Sequence, residues 1–499
     1  MKNVIFKFFI ITALIILIGM ITHIYLLMEF FDIGIQKAII TTERMLTLLW
    51  QGEQSRINGK ALLILYGSVF LPLIIEAFFI IIFSLKQNKE DYGKARFATK
   101  KDFQTLELNT ERGICFGKLG KDKVRTDLPL SIVVVAPPGA GKSAGVIIPN
   151  LLEVPNSCIV LDIKGENEEK TSKYRRDYLG NEILIFNPFA IDIKAEPILN
   201  EQGEIVEMRE KVDYKEHSMF FNPFARECVE NLSYAELGQL VGQIVNTIFV
   251  SKEDDHWLKT SKELFTFFAM LHLCTKGETT FFDIAQAPQS DYFSELQGVY
   301  KESVCYEKQN PDDPNEELER DMNADTFKAF LNQLANDSTY YPPTKLFNGT
   351  TEAQFQIIRN KARRWSGTAT EEFGSIKSTF STYMEIFCDP RVKEATSKMS
   401  FKYQELRQRR ISVFVKVLQT DVEMLGGLIR VFLESIAKNL CTGEEVGKQT
   451  EKYVYLYLDE FVRFGKMEFI LRLPELSRSY GVVPIYISQS YEQFELTYS

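Results

Sequence analysis

Residues 136–143 read Ala-Pro-Pro-Gly-Ala-Gly-Lys-Ser. A short β-branched run, Ile132 to Val135, precedes them, and a helix-like stretch to about Leu152 follows. Strand, glycine turn and helix in that order make a phosphate-binding loop, here with Ala136 in place of the first Gly. An ordinary glycine-rich turn is the plain alternative, and the flanking strand and helix argue against it. The predicted nucleotide cradle is Pro138, Gly139, Ala140, Gly141, Lys142, Ser143 and Ala144. Backbone N–H groups of such a loop surround phosphates, and the next helix points its positive end at them. Lys142 is placed to reach the β- and γ-phosphates and Ser143 to ligate Mg2+. The ligands this predicts are ATP and Mg2+.

A phosphate loop needs a parallel sheet behind it. Ser157 to Leu161, Asn181 to Phe186, Ile411 to Leu418, Tyr453 to Leu458 and Val482 to Ile487 are strand-like runs separated by helical patterns, which predicts an α/β layer. The run Tyr-Val-Tyr-Leu-Tyr-Leu ends in Asp459-Glu460. A hydrophobic strand ending in an acid pair suits a metal ligand followed by a general base. Asp459 is expected to hold Mg2+ through water and Glu460 to polarise the attacking water. Their strand is expected directly beside the loop strand. Alone, an acid pair is a weak signal, often just a helix start.

Gln489 follows the next strand, where an amide can sense a γ-phosphate or orient water; a polar strand end is the plain reading. Arg478 lies eleven residues earlier and is a candidate arginine finger for a neighbouring subunit, or a simple surface Arg. Asp162, Lys164 and Glu166 end the strand after the loop helix. Nucleotide sensing, substrate contact and a turn with an internal ion pair all stay open for them.

The amino-terminal part is different. Phe8 to Met28 is 21 residues without a charge, and Ala61 to Leu85 is a second apolar run of 25 residues containing Pro72 and Glu76. Each is long enough to span a bilayer as a helix. The first exceeds a signal-peptide core and lacks a cleavage pattern, so an uncleaved anchor is expected. Glu76 costs about 3 kcal/mol on insertion, which the surrounding Leu, Ile, Val and Phe outweigh. It is expected to face a neighbouring helix in an oligomer or to sit as a solvated or protonated carboxyl. Lys2 and Lys7 precede the first run, and Lys86, Lys89, Lys94, Arg96, Lys100 and Lys101 follow the second. By the positive-inside rule this is a hairpin with both ends in the cytosol and a short external loop at 29–60.

All seven Cys follow the second run without CxxC spacing, and only four His are present. That fits a reduced cytosolic body rather than a disulfide framework or zinc site. The net charge of −9 argues against a histone-like polycation but leaves a local basic channel open. The expected organisation is a transmembrane hairpin (1–85), a first nucleotide-binding segment (86–231), an inserted all-helical domain (232–368) and a second nucleotide-binding segment (369–499). The insert carries an acidic stretch around Asp312, Asp313, Glu316, Glu317, Glu319, Asp321 and Asp325, read as a solvated surface. Lys361, Arg363, Arg364 and Trp365 are read as a solvated helix end rather than a nucleic-acid contact.

Several stretches together resemble the coupling proteins of type IV secretion systems, the TraG/TraD-like membrane ATPases of conjugation. They are VVVAPPGAGKSAGVIIPNLL, IVLDIKGENEEKTSKYRR, two NPFA segments, YLYLDEFVRFGKMEFILRLPELSRSYG and VVPIYISQSYEQFE. The resemblance implies a RecA-like P-loop ATPase domain with an inserted all-α domain, preceded by a two-helix transmembrane hairpin. It further implies a homo-hexamer at the bacterial inner membrane, multi-pass, with its main body in the cytoplasm. Its partners would be type IV secretion channel components and a relaxase–DNA complex, protein effectors, or both. The helical insert would recognise substrate, and ATP hydrolysis would drive export. Lys142, Ser143, Asp459, Glu460, Arg478 and Gln489 would take the roles above. Such proteins carry further strands beyond the equivalent of Ser499, so the nucleotide domain is expected to lack an edge. That keeps open a non-hydrolysing membrane receptor that only docks substrates. A GTPase or ABC-type ATPase is disfavoured, because neither an NKxD nor an LSGGQ-like motif is found.

Overall fold

The computed structural model describes residues 2–86, 99–200, 202, 204–251, 255–308 and 316–498. They fall into two compact units, Met1–Thr99 and Lys100–Ser499. Of the residues invoked above, Lys89, Lys94, Arg96, Asp312 and Asp313 lie outside the described residues.

In the first unit Lys2–Phe31 is one helix. Gly59–Leu65, a π-helical turn Tyr66–Phe70 and Leu71–Lys86 form the second apolar element. Ile11–Phe31 and Gly59–Phe78 are long and apolar enough to cross a membrane by length and composition. A Cβ at Gly19 would lie 2.7 Å from the Ser68 carbonyl, so only glycine admits this close helix approach. Glu76 has a partner within the chain: Thr12 Oγ1 donates to its Oε1 at 2.8 Å. This hydrogen bond engages one of the two carboxyl oxygens. The loop between the spans is itself helical over Ile35–Trp50, with Ala38, Thr42 and Met45 on its buried side.

The second unit is built on six parallel strands: β1 (Ile132–Val135), β2 (Cys158–Asp162), β3 (Glu182–Phe186), β4 (Ile411–Lys416), β5 (Val454–Asp459) and β6 (Val482–Ser488). Their order is β1-β6-β5-β2-β4-β3, with every pairing parallel. A parallel sheet is buried on both faces, which explains the near-continuous apolar runs. Along β5, Val454, Leu456 and Leu458 enter one core, while Tyr455 and Tyr457 enter the other with Ile147 and Leu151 of the loop helix. The acid-pair strand does not lie directly beside the loop strand as expected. β6 sits between them, holding β1 and β5 about 10 Å apart, two strand spacings.

Between β3 and β4 the chain first forms an antiparallel hairpin, Ile191–Leu199 with Ile205–Tyr214, and then turns helical. The helices include Tyr234–Ile248, His256–Thr275, Thr326–Asn336 and Glu352–Gly367. They continue past residue 368 through Thr370–Met384 and Pro390–Ala395, because Phe380, Met384 and Val392 share the same apolar core. Trp365 is buried, and Arg364 pairs with Glu263 at 2.6 Å, as a helix end rather than a free basic-aromatic face.

Candidate nucleotide site

The site lies at the carboxyl ends of β1, β6 and β5. Val135 pairs in register with Ser488, and Ile487 with Asp459. Ala136 N–H donates to the Ser488 carbonyl at 3.2 Å, and Glu460 N–H to the Ile487 carbonyl at 3.0 Å. Register alone therefore brings the start of the loop, Gln489 and Glu460 level along one sheet edge.

Gly139 and Gly141 sit at φ +78° and +80°, a conformation that a Cβ disfavours. Pro138 brings no N–H and shapes the turn instead. Lys142 Nζ donates to the carbonyls of Ala136 at 2.8 Å and Pro137 at 3.4 Å, so its cation folds over the loop, with no carboxylate paired to it among the described residues. Ser143 and Ala144 open a π-helical turn, Ser143–Ile147, that runs into Ile148–Glu153. Asn150 anchors this helix, accepting from Cys115 N–H at 2.7 Å and donating to the Cys115 carbonyl at 2.9 Å.

Across the gap, Asp459 is pushed up to about 6, first by burial and then by the neighbouring Glu460 charge. Its Oδ1 is buried without a hydrogen-bond partner. A buried, unpaired carboxylate oxygen is costly unless a cation meets it. Glu460 adopts φ +50°, rare for a side chain of its size, which bends the chain out of β5 at this residue. Its Oε1 accepts from Gln489 Nε2 at 2.5 Å and its Oε2 lies 2.6 Å from Arg463 Nε. Gln489 is steadied in turn by Gln493, whose Oε1 accepts from Gln489 N–H at 3.2 Å and Ser488 Oγ at 2.7 Å. Loop, carboxylates and amide fit a Mg2+–nucleotide: a positive cradle faces an unpaired acid across one strand.

Three further sequence candidates lie at the end of β2 and just after it, and the charges of Asp162 and Lys164 are felt at Asp459. Asp162 caps the helix Glu166–Asp177, accepting from Glu168 N–H at 2.8 Å and Asn167 Nδ2 at 3.3 Å. Lys164 is exposed, and Glu166 pairs with Lys170 at 3.0 Å. Arg478 is exposed in the last turn of Glu468–Tyr480, just before β6 begins, with no partner among the described residues. Its neighbour Ser477 touches Ser131 ahead of β1, so Arg478 marks the edge of the sheet opposite its own phosphate loop. Arg463 and Gln493 escaped the sequence reading. Arg463 had a signal, being three residues after Glu460; Gln493 had none short of the fold.

A family model described as type IV secretory system conjugative DNA transfer matches residues 85–499. The chain belongs to this family. It is 25% identical over 447 residues to a conjugal transfer protein TraG of Escherichia coli, covering 82% of this chain and 59% of that protein. It is 24% identical over 407 residues to a protein VirD4 of Rhizobium rhizogenes, covering 78% of this chain and 48% of the relative. The chain thus spans about half to three fifths of these curated relatives. Among solved structures it is similar to the plasmid coupling protein TrwB in complex with a non-hydrolysable ATP analogue. That match has a TM-score of 0.48 at 12% identity, over 81% of this chain and 74% of the other. TrwB in complex with ADP and Mg2+ matches at a TM-score of 0.48 and 14% identity, over 81% and 74%.

Proposed function

We propose that this chain is a membrane-anchored ATPase that couples recruitment of secretion substrates to their export through a type IV secretion system. One observation carries the reading: the phosphate loop, the unpaired Asp459 carboxylate and the Glu460–Gln489 pair converge on one sheet edge. ATP is the substrate. The loop backbone and Lys142 hold its phosphates, while Ser143 and Asp459 hold Mg2+, which when bound neutralises phosphate charge. Glu460 takes a proton from the attacking water as the bond from the γ-phosphorus to the bridging oxygen breaks and ADP leaves. Gln489 orients Glu460, and Arg478 acts on a neighbouring subunit's site.

The two apolar segments form a hairpin in the inner membrane with both ends in the cytoplasm. The body assembles as a homo-hexamer, and the helical part from residue 232 receives cargo. The cargo is a relaxase–DNA complex, protein effectors or both. Support comes from family membership and from the two candidate spans. The alternative, a docking receptor without hydrolysis, is separated by steady-state ATP turnover of the reconstituted full chain. Turnover abolished by Lys142→Ala and Glu460→Gln supports the reading; turnover equal in both variants and wild type sinks it.

A further inference from the structure

Among the charged residues of the helix Val422–Leu440 that the nucleotide site does not use are Arg430 and Glu434. They are one turn apart and share a face. Arg430 Nε donates to the Thr247 carbonyl at 3.1 Å and Nη2 to the Ile248 carbonyl at 3.3 Å. Both carbonyls lie at the carboxyl end of the helix Tyr234–Ile248, where no helical N–H follows; that of Ile248 also accepts from Val250 N–H at 3.1 Å. Nη1 of the same guanidinium donates to the Phe464 carbonyl at 2.8 Å. Phe464 ends the 3-10 turn Phe461–Phe464 that begins directly after Glu460. One side chain thus grips both the helical part and the segment leaving the general base.

Glu434 repeats the arrangement. Its Oε2 accepts from Thr247 Oγ1 at 2.9 Å and its Oε1 from Phe469 N–H at 3.1 Å. Phe469 is the second residue of Glu468–Tyr480, the helix that carries Arg478. The Glu434 carboxylate therefore caps that helix while holding Thr247. Glu434 is 6% exposed, and Lys438 Nζ at 3.2 Å balances its charge. The backbone is shaped to admit the guanidinium: Gly465 takes φ +83°, and a Cβ there would lie 3.3 Å from Arg430 Nη1.

We infer that Arg430 and Glu434 are positioning residues that mechanically link the nucleotide state at Glu460 to the helical cargo-receiving part. The argument is geometric. Any change in the turn 461–464 must move the Phe464 carbonyl against Arg430. Arg430 cannot follow without stretching or releasing its bonds to the Thr247 and Ile248 carbonyls, and losing a charge-assisted hydrogen bond in a part-buried setting is costly. The motion is therefore passed on to the end of the helix Tyr234–Ile248. A displacement starting in the helical part travels back along the same bonds to the turn and to the Arg478 helix. This inference rests on the ATPase reading above.

The test uses the full chain in lipid nanodiscs, with hydrogen–deuterium exchange read over residues 244–250, with and without a non-hydrolysable ATP analogue plus Mg2+. Wild type is expected to change exchange in this segment on binding the analogue. Arg430→Met and Glu434→Ala are expected to bind the analogue with unchanged affinity and to lose that response. Their kcat is expected to fall about tenfold while KM for ATP stays put, the scale of a typical coupling. Glu434→Gln, which keeps an acceptor for Phe469 N–H, is expected to retain part of the response. Thr247→Val, nearly isosteric, removes one strand of the link without emptying the core and is expected to weaken the response if the larger changes misfold. A wild-type response of full size in Arg430→Met, Glu434→Ala or Thr247→Val overturns the link. So does a wild-type chain that binds the analogue without any change at 244–250. Failure of wild type to bind the analogue at all would instead defeat the ATPase reading.

Discussion

Gln489 Nε2 lies 2.5 Å from Glu460 Oε1, so the amide after β6 holds the carboxylate after β5. Arg463 holds the other oxygen at 2.6 Å. Both carboxylate oxygens are thus engaged, which fixes their direction. Glu460→Gln is expected to lower ATP turnover by about 10²–10⁴-fold, the usual worth of a positioned base. Gln489→Glu sets a second carboxylate against the first and is expected to lower kcat more than Gln489→Ala. Steady-state turnover checks both, and equal activity for the two Gln489 variants counts against the pairing.

The phosphate loop depends on backbone conformation at Gly141, φ +80°. Alanine there costs about 1–2 kcal/mol of strain, relieved only when the loop leaves its cradle shape. Gly141→Ala is expected to lower nucleotide affinity about tenfold, with little change in thermal stability. Titration with a fluorescent ATP analogue measures the first and a melting curve the second.

Buried histidines give the fold a defined response to acid. Burial pushes His217 down to about 4 from its ordinary 6.5. His217 Nδ1 accepts from Asn187 N–H at 3.1 Å, and its ring packs on Phe186, Tyr214 and Phe220. The unfolded chain binds the proton first, so stability is full above pH 6.5 and falls as pH drops towards 4. For this one group the loss is about 2 kcal/mol by pH 5. His217→Phe is expected to be less stable at pH 7, because Asn187 N–H loses its acceptor, yet to show a flatter decline between pH 6.5 and 5. Parallel decline in both proteins would remove His217 as the cause.

Much of the site could be read before folding because its chemistry is local. A glycine loop, an acid pair and a strand-end amide are each set by a few adjacent residues and the strand beside them. What escaped needed distant parts of the chain to meet. The insertion of β6 between β1 and β5 is a matter of strand order, which no local pattern encodes. The same holds for Arg175, whose partners lie on distant parts of the chain. It is 1% exposed and donates to Ser412 Oγ at 2.7 Å and to the Leu151, Val154 and Asn156 carbonyls at 2.6, 2.9 and 2.7 Å. For Asp162 the local pattern left several roles open, and the fold adds that its carboxylate accepts from Glu168 N–H at the start of the next helix.

The membrane hairpin makes a separate prediction. If Ile11–Phe31 and Gly59–Phe78 both cross the bilayer, residues 45 and 95 lie on opposite sides. Reporter fusions at these two positions are expected to be active in different compartments. The same compartment for both refutes the hairpin.

Arg478 tests cooperation between subunits. It is exposed at the sheet edge away from its own phosphate loop, with no partner among the described residues. The proposed role is at another subunit's site. Arg478→Ala is therefore expected to leave nucleotide affinity unchanged and to lower turnover by about 10³-fold or more, as for a finger supplied in trans. Mixing decides the matter. Arg478→Ala subunits combined with Glu460→Gln subunits are expected to regain turnover. At each junction where a Glu460→Gln subunit presents its Arg478 to an Arg478→Ala neighbour, that neighbour's intact base has the finger it needs. A simple surface Arg predicts that Arg478→Ala alone keeps full activity. A residue acting within its own subunit predicts that the mixture stays as inactive as its components.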